Sequence, residues 1–213
     1  MKPLAILAFD TSAAHCAAAL LLGERVISAY EAMEKGQAER LIIFLQELLA
    51  REGLVWGDLT AIGVGTGPGN FTGVRISVAA ARGLALGLAI PAIGVTSLEA
   101  AAYGLPRPIT VIEDARRGEV YVQPFTEAGA GAARVIAAAE IGALTGAVTG
   151  SGCDGLPAAM PLAEAIVRIA ATRTGSVQPR PAPFYLRGAD ANPPSDPPPI
   201  ILPNPVAPCL PGG

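Results

Sequence analysis

Short apolar runs and one long helical pattern alternate over the first fifty residues. Residues 4–9 and 16–22 are apolar at every position, which is typical of strands that are covered on both faces of a sheet. A third and more mixed run at 26–30 follows a Gly-Glu pair, so the three runs predict an antiparallel meander. A helix is predicted over 38–51, because Gly53 just past its end is typical of a helix C-terminus.

The next elements form a crossover. An apolar run at 60–64 is followed by a glycine-rich stretch, a helical pattern at 74–89 and a short apolar run at 92–95. The resulting order β-β-β-α-β-α-β is that of the ribonuclease H-like fold, which recurs in the actin-like ATPases (the ASKHA fold). We therefore predict an α/β protein whose N-terminal lobe covers residues 1–104.

The second half carries a weaker pattern. It predicts a β-hairpin made of 109–113 and 119–125, a short strand at 147–149 and an amphipathic helix at 161–173. These elements are expected to form a smaller C-terminal lobe over 105–191. Proline dominates residues 192–213, so we predict a disordered or polyproline-like tail there.

The composition and charge of the chain limit the classes of function that it is expected to have. The net charge is −3, the pI is about 5.2, and no run of Lys or Arg occurs, so the chain alone is expected to bind nucleic acid poorly. Cys16, Cys153 and Cys209 lack metal-binding spacing and are typical of reduced thiols. No signal-peptide pattern is present, and no apolar stretch suits a bilayer without a glycine or a charge. We expect a cytoplasmic protein with no membrane association.

The most informative segment is Gly-Thr-Gly-Pro-Gly-Asn-Phe-Thr-Gly-Val-Arg-Ile at 65–76. Glycine lets another group approach the backbone closely, and a turn from strand to helix exposes amides that suit an anion. No Lys-Ser or Lys-Thr follows the glycines, so the segment is not a Walker A loop. Two interpretations stay open: a tight turn whose glycines allow close packing, or a phosphate site.

Two charged turns are further candidates. Asp10 ends the first strand, where ribonuclease H-like enzymes hold a metal, but the turn after it contains no glycine, which favours a side chain that satisfies turn amides. Asp114 precedes Arg116 and Arg117, which could pair with it or face a partner or nucleotide. His15 is the sole histidine, so its count excludes a two-histidine metal centre.

These motifs, in this order and at these spacings, resemble the TsaB (YeaZ) family. The likeness is carried by 4–12, by the string from Gly67 to Arg75 and by 114–121, and residues 184–187 resemble the closing strand of the family. The resemblance implies a non-catalytic scaffold subunit for threonylcarbamoylation of the adenosine next to the anticodon, in tRNAs that read codons beginning with A. It implies binding to the catalytic subunit TsaD and, with it, the ATPase TsaE. It also implies a homodimer when alone and contact with tRNA only through the complex.

The catalytic paralogue TsaD carries a His-x-x-x-His metal pair just after the strand that corresponds to 92–95. Ser97 and Ala101 stand at those positions in this chain. The resemblance therefore implies no catalytic residues, no metal and no cofactor, with nucleotide binding at most at the interface of the complex. The residues that could contact a nucleotide or partner are Asp10, Gly67, Gly69, Arg75 and Arg116.

Two helices are candidates for the partner surface. The first carries apolar residues on two sides, and the second carries small residues at intervals of four, which let another helix approach closely. Packing on the chain's own sheet remains an alternative for both. The predicted interface residues are Leu41, Leu45, Leu48, Leu49, Ala79, Gly83 and Gly87.

Two enzyme functions remain as alternatives. One is an actin-like ATPase or phosphotransferase that uses Asp10 and the loop 65–69. The other is a metal-dependent nuclease that uses Asp10 with Asp58 or Asp114.

Overall fold

The first half of the chain forms one mixed sheet in the computed structural model, which describes residues 4–187. Its strands are β1 (Ala5–Asp10), β2 (His15–Leu22), β3 (Arg25–Ala32), β4 (Ala61–Gly65) and β5 (Ala92–Val95). They lie in the order β3-β2-β1-β4-β5; β1, β2 and β3 are antiparallel, and β4 is parallel to β1 and β5. The predicted meander and crossover are confirmed.

Helices cover both faces of this sheet. Helices α1 (Gln37–Arg51) and α2 (Phe71–Leu88) pack on one face, and α4 (Leu162–Arg173) packs on the other. In β1, Leu7 and Phe9 point to α1 and α2, whereas Ile6 and Ala8 point to α4, and all four are fully buried. Burial on both faces explains why this strand is apolar at successive positions.

The second sheet is smaller. It contains β6 (Ile109–Arg116), β7 (Glu119–Thr126), β8 (Gly129–Ala130), β9 (Arg134–Ala137) and β10 (Ala147–Thr149). β6 and β7 form the predicted hairpin, and β10 runs parallel to β6. The short helix α3 (Ser97–Ala102) lies between the two sheets, where Leu98 and Ala102 pack against Ile109 and Val111 of β6.

Helix packing crosses the predicted division between residues 1–104 and 105–191. Helix α4, from the second half, packs on the first sheet rather than on its own. Arg173 at its end pairs with Glu99 of α3 and donates a hydrogen bond to the Gly94 carbonyl at 3.2 Å. A sheet buried on both faces needs a helix on each side, and the first half supplies long helices to one side only. The predicted tail at 192–213 lies outside the described residues.

The predicted closing strand at 184–187 was wrong. The Phe184 amide donates to the Thr66 carbonyl at 2.8 Å, and Arg187 pairs with Glu119 of β7. The segment therefore crosses from the first sheet to the second and forms no ladder with either. We call residues 181–187 the strap.

Helix α2 is unusually apolar on its outer face. Within residues 4–187 it is the one helix whose length of 18 residues and mean hydropathy of 1.3 would suit a bilayer, yet 33% of it is buried in the fold. Asn70 caps its N-terminus by accepting a hydrogen bond from the Gly73 amide at 2.9 Å. Length and hydropathy do not separate a spanning helix from one that packs on a sheet and a protein partner.

Candidate functional site

Asp10 organises the turn at the end of β1. It is fully buried, and its Oδ1 accepts hydrogen bonds from the Ser12 amide at 2.8 Å and the Ser12 hydroxyl at 2.7 Å. His15 Nε2 lies 3.0 Å from the same oxygen. The predicted role of the Asp10 side chain in satisfying the turn is confirmed. Its Oδ2 has no hydrogen-bond partner and lies against Gly65, where a Cβ would overlap it.

The glycine loop packs directly on this turn. The Thr11 hydroxyl donates to the Gly73 carbonyl at 2.7 Å, and the Asn70 amide donates to the Ser12 carbonyl at 2.6 Å. A Cβ on Gly69 would stand 2.6 Å from the Ser12 carbonyl oxygen, and one on Gly73 would overlap that of Thr11. The interpretation as a close-packed turn is therefore confirmed at these glycines, and protein backbone fills this side of the loop.

A cleft of about 950 Å³ opens between the two sheets beside this turn. Of the residues predicted to contact a nucleotide or partner, Gly69, Arg75 and Arg116 line it, whereas Asp10 and Gly67 do not. Its walls come from the glycine loop, the β6–β7 turn and the strap. Its floor comes from α3 and the start of α4, and is largely apolar, with Ala100, Ala101, Met160 and Leu162.

An aromatic and cationic cluster stands at the mouth of the cleft. The Arg75 guanidinium lies 3.8 Å from the centroid of the Phe71 ring, and its Nε donates to the Tyr185 hydroxyl at 2.9 Å. The Phe71 and Tyr185 rings are stacked with centroids 5.2 Å apart. All three side chains are exposed, so the strap and the first turn of α2 together hold Arg75 at the surface.

Glu113 and Ser151 form a second polar pair in the cleft, which the sequence analysis missed. The Ser151 hydroxyl and amide both donate to Glu113 Oε2. Burial raises the pKa of the Glu113 carboxyl above its usual value of 4.5, although these hydrogen bonds oppose the shift. Glycines flank Ser151, and a Cβ on Gly150 would overlap the Ile112 carbonyl. This Gly-Ser-Gly string was the feature of the sequence that could have drawn attention to Ser151.

The β6–β7 turn holds Arg116 through the backbone. Asp114 Oδ1 accepts from the Arg116 amide at 2.7 Å, and Arg116 and Arg117 both have positive φ, at 62° and 55°. The Arg116 side chain lines the cleft. The Asp114 carboxylate thus stabilises the turn by accepting a hydrogen bond from the backbone amide of Arg116. An ion pair between Asp114 and the Arg116 side chain, which was one alternative in the sequence analysis, is not what joins these two residues.

The proposed nuclease pair Asp10 and Asp58 is wrong. Asp58 precedes β4 and Asp10 ends the parallel β1, so the two carboxylates lie at opposite ends of the sheet. Asp58 Oδ2 instead accepts from the Val55 amide at 2.8 Å. Between residues 4 and 187 no cluster of three His, Cys, Asp or Glu side chains could hold a metal.

The predicted partner residues divide into two groups. Leu41, Leu45, Leu48 and Leu49 are at most 1% exposed inside the chain's own core, so they are corrected to core residues; Ile42 and Ile43, at 40% and 55%, form the exposed apolar surface of α1. On α2, Ala79, Gly83 and Gly87 are exposed, and nothing lies within 4 Å of a Cβ on either glycine. These three small residues therefore lie on the outer side of α2 and are not explained by packing on its own sheet.

The chain is similar in sequence and in fold to known proteins. The family described as TsaD, tRNA N6-adenosine threonylcarbamoyltransferase, matches residues 27–190. The tRNA threonylcarbamoyladenosine biosynthesis protein TsaB of Escherichia coli is 39% identical over 121 residues, which cover 54% of this chain and 52% of that protein. The chain thus spans about half the length of this curated relative.

Other relatives match over most of the chain. An uncharacterized protein of Mycobacterium bovis is 34% identical over 203 residues, covering 88% of this chain and 94% of that protein. The structure of YeaZ from Pseudomonas aeruginosa superposes with a TM-score of 0.70 at 28% identity, covering 86% of this chain and all of that one. The fold and these matches define an ASKHA-type α/β protein. The chain belongs to the TsaD-type family and, within it, to the TsaB (YeaZ) group.

The contact between Gly73 and Thr11 gives a first testable prediction. Gly73→Ala should lower the free energy of unfolding by about 3 kcal/mol, because the new methyl group overlaps backbone that cannot retreat. Gly83→Ala in the same helix is the matched control and should stabilise by up to about 1 kcal/mol, because its Cβ meets open space. Urea unfolding measures both, and equal effects would contradict the packing described here.

The raised pKa of Glu113 gives a pH-dependent prediction. Because the folded state holds this proton more tightly than the unfolded state, the stability it contributes is complete below the ordinary pKa of 4.5 and is lost as pH rises through the raised pKa. Glu113→Gln cannot ionise, so its free energy of unfolding should rise relative to that of the wild type as the pH increases from below 4.5 through the raised pKa. Denaturant titrations at several pH values measure this, with exposed Glu127→Gln as control. A constant difference would refute it.

Proposed function

We propose that the chain is a non-catalytic subunit in the synthesis of threonylcarbamoyladenosine in tRNA. It would act by binding a TsaD homologue, with TsaE joining the pair, and would meet tRNA only through that complex in the cytoplasm. The observation that carries this proposal is the 39% identity to a protein named for this biosynthesis, on a chain with a TsaD-type fold.

The residues at the positions of the TsaD histidine pair support a role without catalysis. Ser97 donates its hydroxyl to the Pro68 carbonyl and its amide to the Gly67 carbonyl, both at 2.8 Å, so it fastens the glycine loop to α3. Ala101 presents only a methyl group to the cleft. Ser97 thus makes a structural contact, and Ala101 offers no ligand atom, at the positions where the paralogue would hold a metal.

The ATPase alternative has less support. It requires phosphate on the loop 65–69, but the backbone of Thr11 and Ser12 packs against the side of the loop that faces β1. A phosphate at that position would displace hydrogen bonds that tie β1 to α2. Arg75 and Arg116 are better suited to an anionic group that approaches from the cleft or from a partner.

The exposed face of α2 is the best candidate for the partner surface. The small residues at 79, 83 and 87 are exposed with open space around both glycines, and Leu86 beside them is 78% exposed. Small residues let a second helix approach closely, and an exposed leucine adds apolar area to the contact. The same face would mediate a homodimer when the chain is alone.

Gly83→Leu tests this surface. Its side chain enters open space in the monomer, so the fold should survive, but it should block a close helix and weaken association by about tenfold to a hundredfold, equivalent to about 1 to 3 kcal/mol. Sedimentation with and without the TsaD homologue measures association, circular dichroism checks folding, and Gly83→Ala serves as control. A folded Gly83→Leu chain that binds at wild-type strength would exclude this face.

A further inference from the structure

The exposed face of α2 continues beyond its small residues into the cluster of Phe71, Arg75 and Tyr185. Arg75, Ala79 and Gly83 are each four positions apart and all exposed, so they follow one side of the helix. Ring stacking, the cation–π contact and the hydrogen bond to Tyr185 fix the guanidinium in place. Aromatic residues and arginine held rigidly at a surface are the types that dominate binding energy at interfaces.

Arg75 has no acidic partner in the part of the chain that the structure describes. Other arginines do pair with a carboxylate: Arg25 with Glu52, Arg40 with Glu31 and Glu47, Arg168 with Glu164, Arg173 with Glu99, and Arg187 with Glu119. Arg75 instead uses its Nε on a neutral hydroxyl and stacks on a ring. The side chain is exposed, and its two terminal nitrogens make no hydrogen bond within the described residues. A guanidinium with both of these nitrogens available can bind a carboxylate through both oxygens.

We infer that this cluster receives a carboxylate side chain from the TsaD homologue, at the α2 face named above. The inference rests on the proposed function and adds the chemistry of the contact: an Asp or Glu flanked by apolar groups that cover Phe71 and Tyr185. A second copy of this chain is a poorer source, because the 18 residues of α2 include Arg75 and Arg82 but no Asp or Glu.

Charge reversal at Arg75 tests the inference. Arg75→Glu should weaken binding to the TsaD homologue at least tenfold, because it places like charges together. Arg75→Lys should give a smaller loss, since it keeps the charge but not the planar fork. Tyr185→Phe, which keeps the stacked ring and removes the hydroxyl, should lose only a few-fold. Arg134→Glu, on exposed β9, is the matched charge-reversal control and should bind normally.

A complementary substitution identifies the partner residue. Each surface Asp or Glu of the TsaD homologue is changed to Lys, and one of these variants should restore binding by Arg75→Glu while weakening binding by the wild-type chain. The wild-type affinity should also fall more steeply with salt than that of Arg75→Gln. Thermal unfolding confirms that every variant is folded.

The outcomes separate this inference from the proposed function. If Gly83→Leu abolishes association and Arg75→Glu leaves it unchanged, the α2 face is the interface but the carboxylate contact is wrong. If Arg75→Glu weakens the homodimer as strongly as the complex with the TsaD homologue, the choice of a partner carboxylate is overturned. If neither substitution affects binding to the TsaD homologue, the α2 face and the carboxylate contact are both wrong. The proposed function itself fails if the wild-type chain does not bind the TsaD homologue.

Discussion

The backbone of Thr11 and Ser12 meets the backbone of the glycine loop, and this contact fixes how α2 leaves the sheet. Three small groups make it possible: Gly65 leaves room for the Asp10 carboxylate, and Gly69 and Gly73 leave room for the carbonyls of the turn. The Thr11 hydroxyl and the Asn70 amide then close two hydrogen bonds across the gap. Because α2 starts at this junction, the same contacts determine where Arg75 and the exposed small residues stand. The position of the proposed partner surface therefore depends on a buried turn.

Local pattern was enough to predict the first sheet. β1 is a continuous apolar run because Leu7 and Ile6 are buried on opposite faces, and the short turns between the first three strands indicated an antiparallel meander. The position of α4 could not be predicted in this way. Its amphipathic pattern indicates a buried face but not which sheet covers it. The second face of the first sheet is covered by a helix that begins only at Leu162, although the last strand of that sheet ends at Val95.

Local sequence pattern likewise predicted only part of the candidate site. The role of Asp10 was predictable because its partners Ser12 and His15 are within five residues. The pair Glu113 and Ser151 is 38 residues apart, and Arg75 and Tyr185 are 110 apart, so no local pattern indicates them. The prediction that the α1 leucines contact a partner was wrong for a different reason. An apolar helix face is equally suited to pack on a sheet or on a partner, and only the observed burial of Leu41 and Leu45 decides between the two.

Together these features describe a TsaD-type fold in which Ser97 fastens the glycine loop to α3 and the outer face of α2 is the proposed interface. The most direct measurement is tRNA modification in a reconstituted mixture, followed by mass spectrometry of threonylcarbamoyladenosine. With a TsaD homologue, TsaE, ATP and threonylcarbamoyl-adenylate, repeated turnover should require this chain, and the chain without the TsaD homologue should form no product. Repeated modification by this chain alone, or equal turnover without it, would contradict the account.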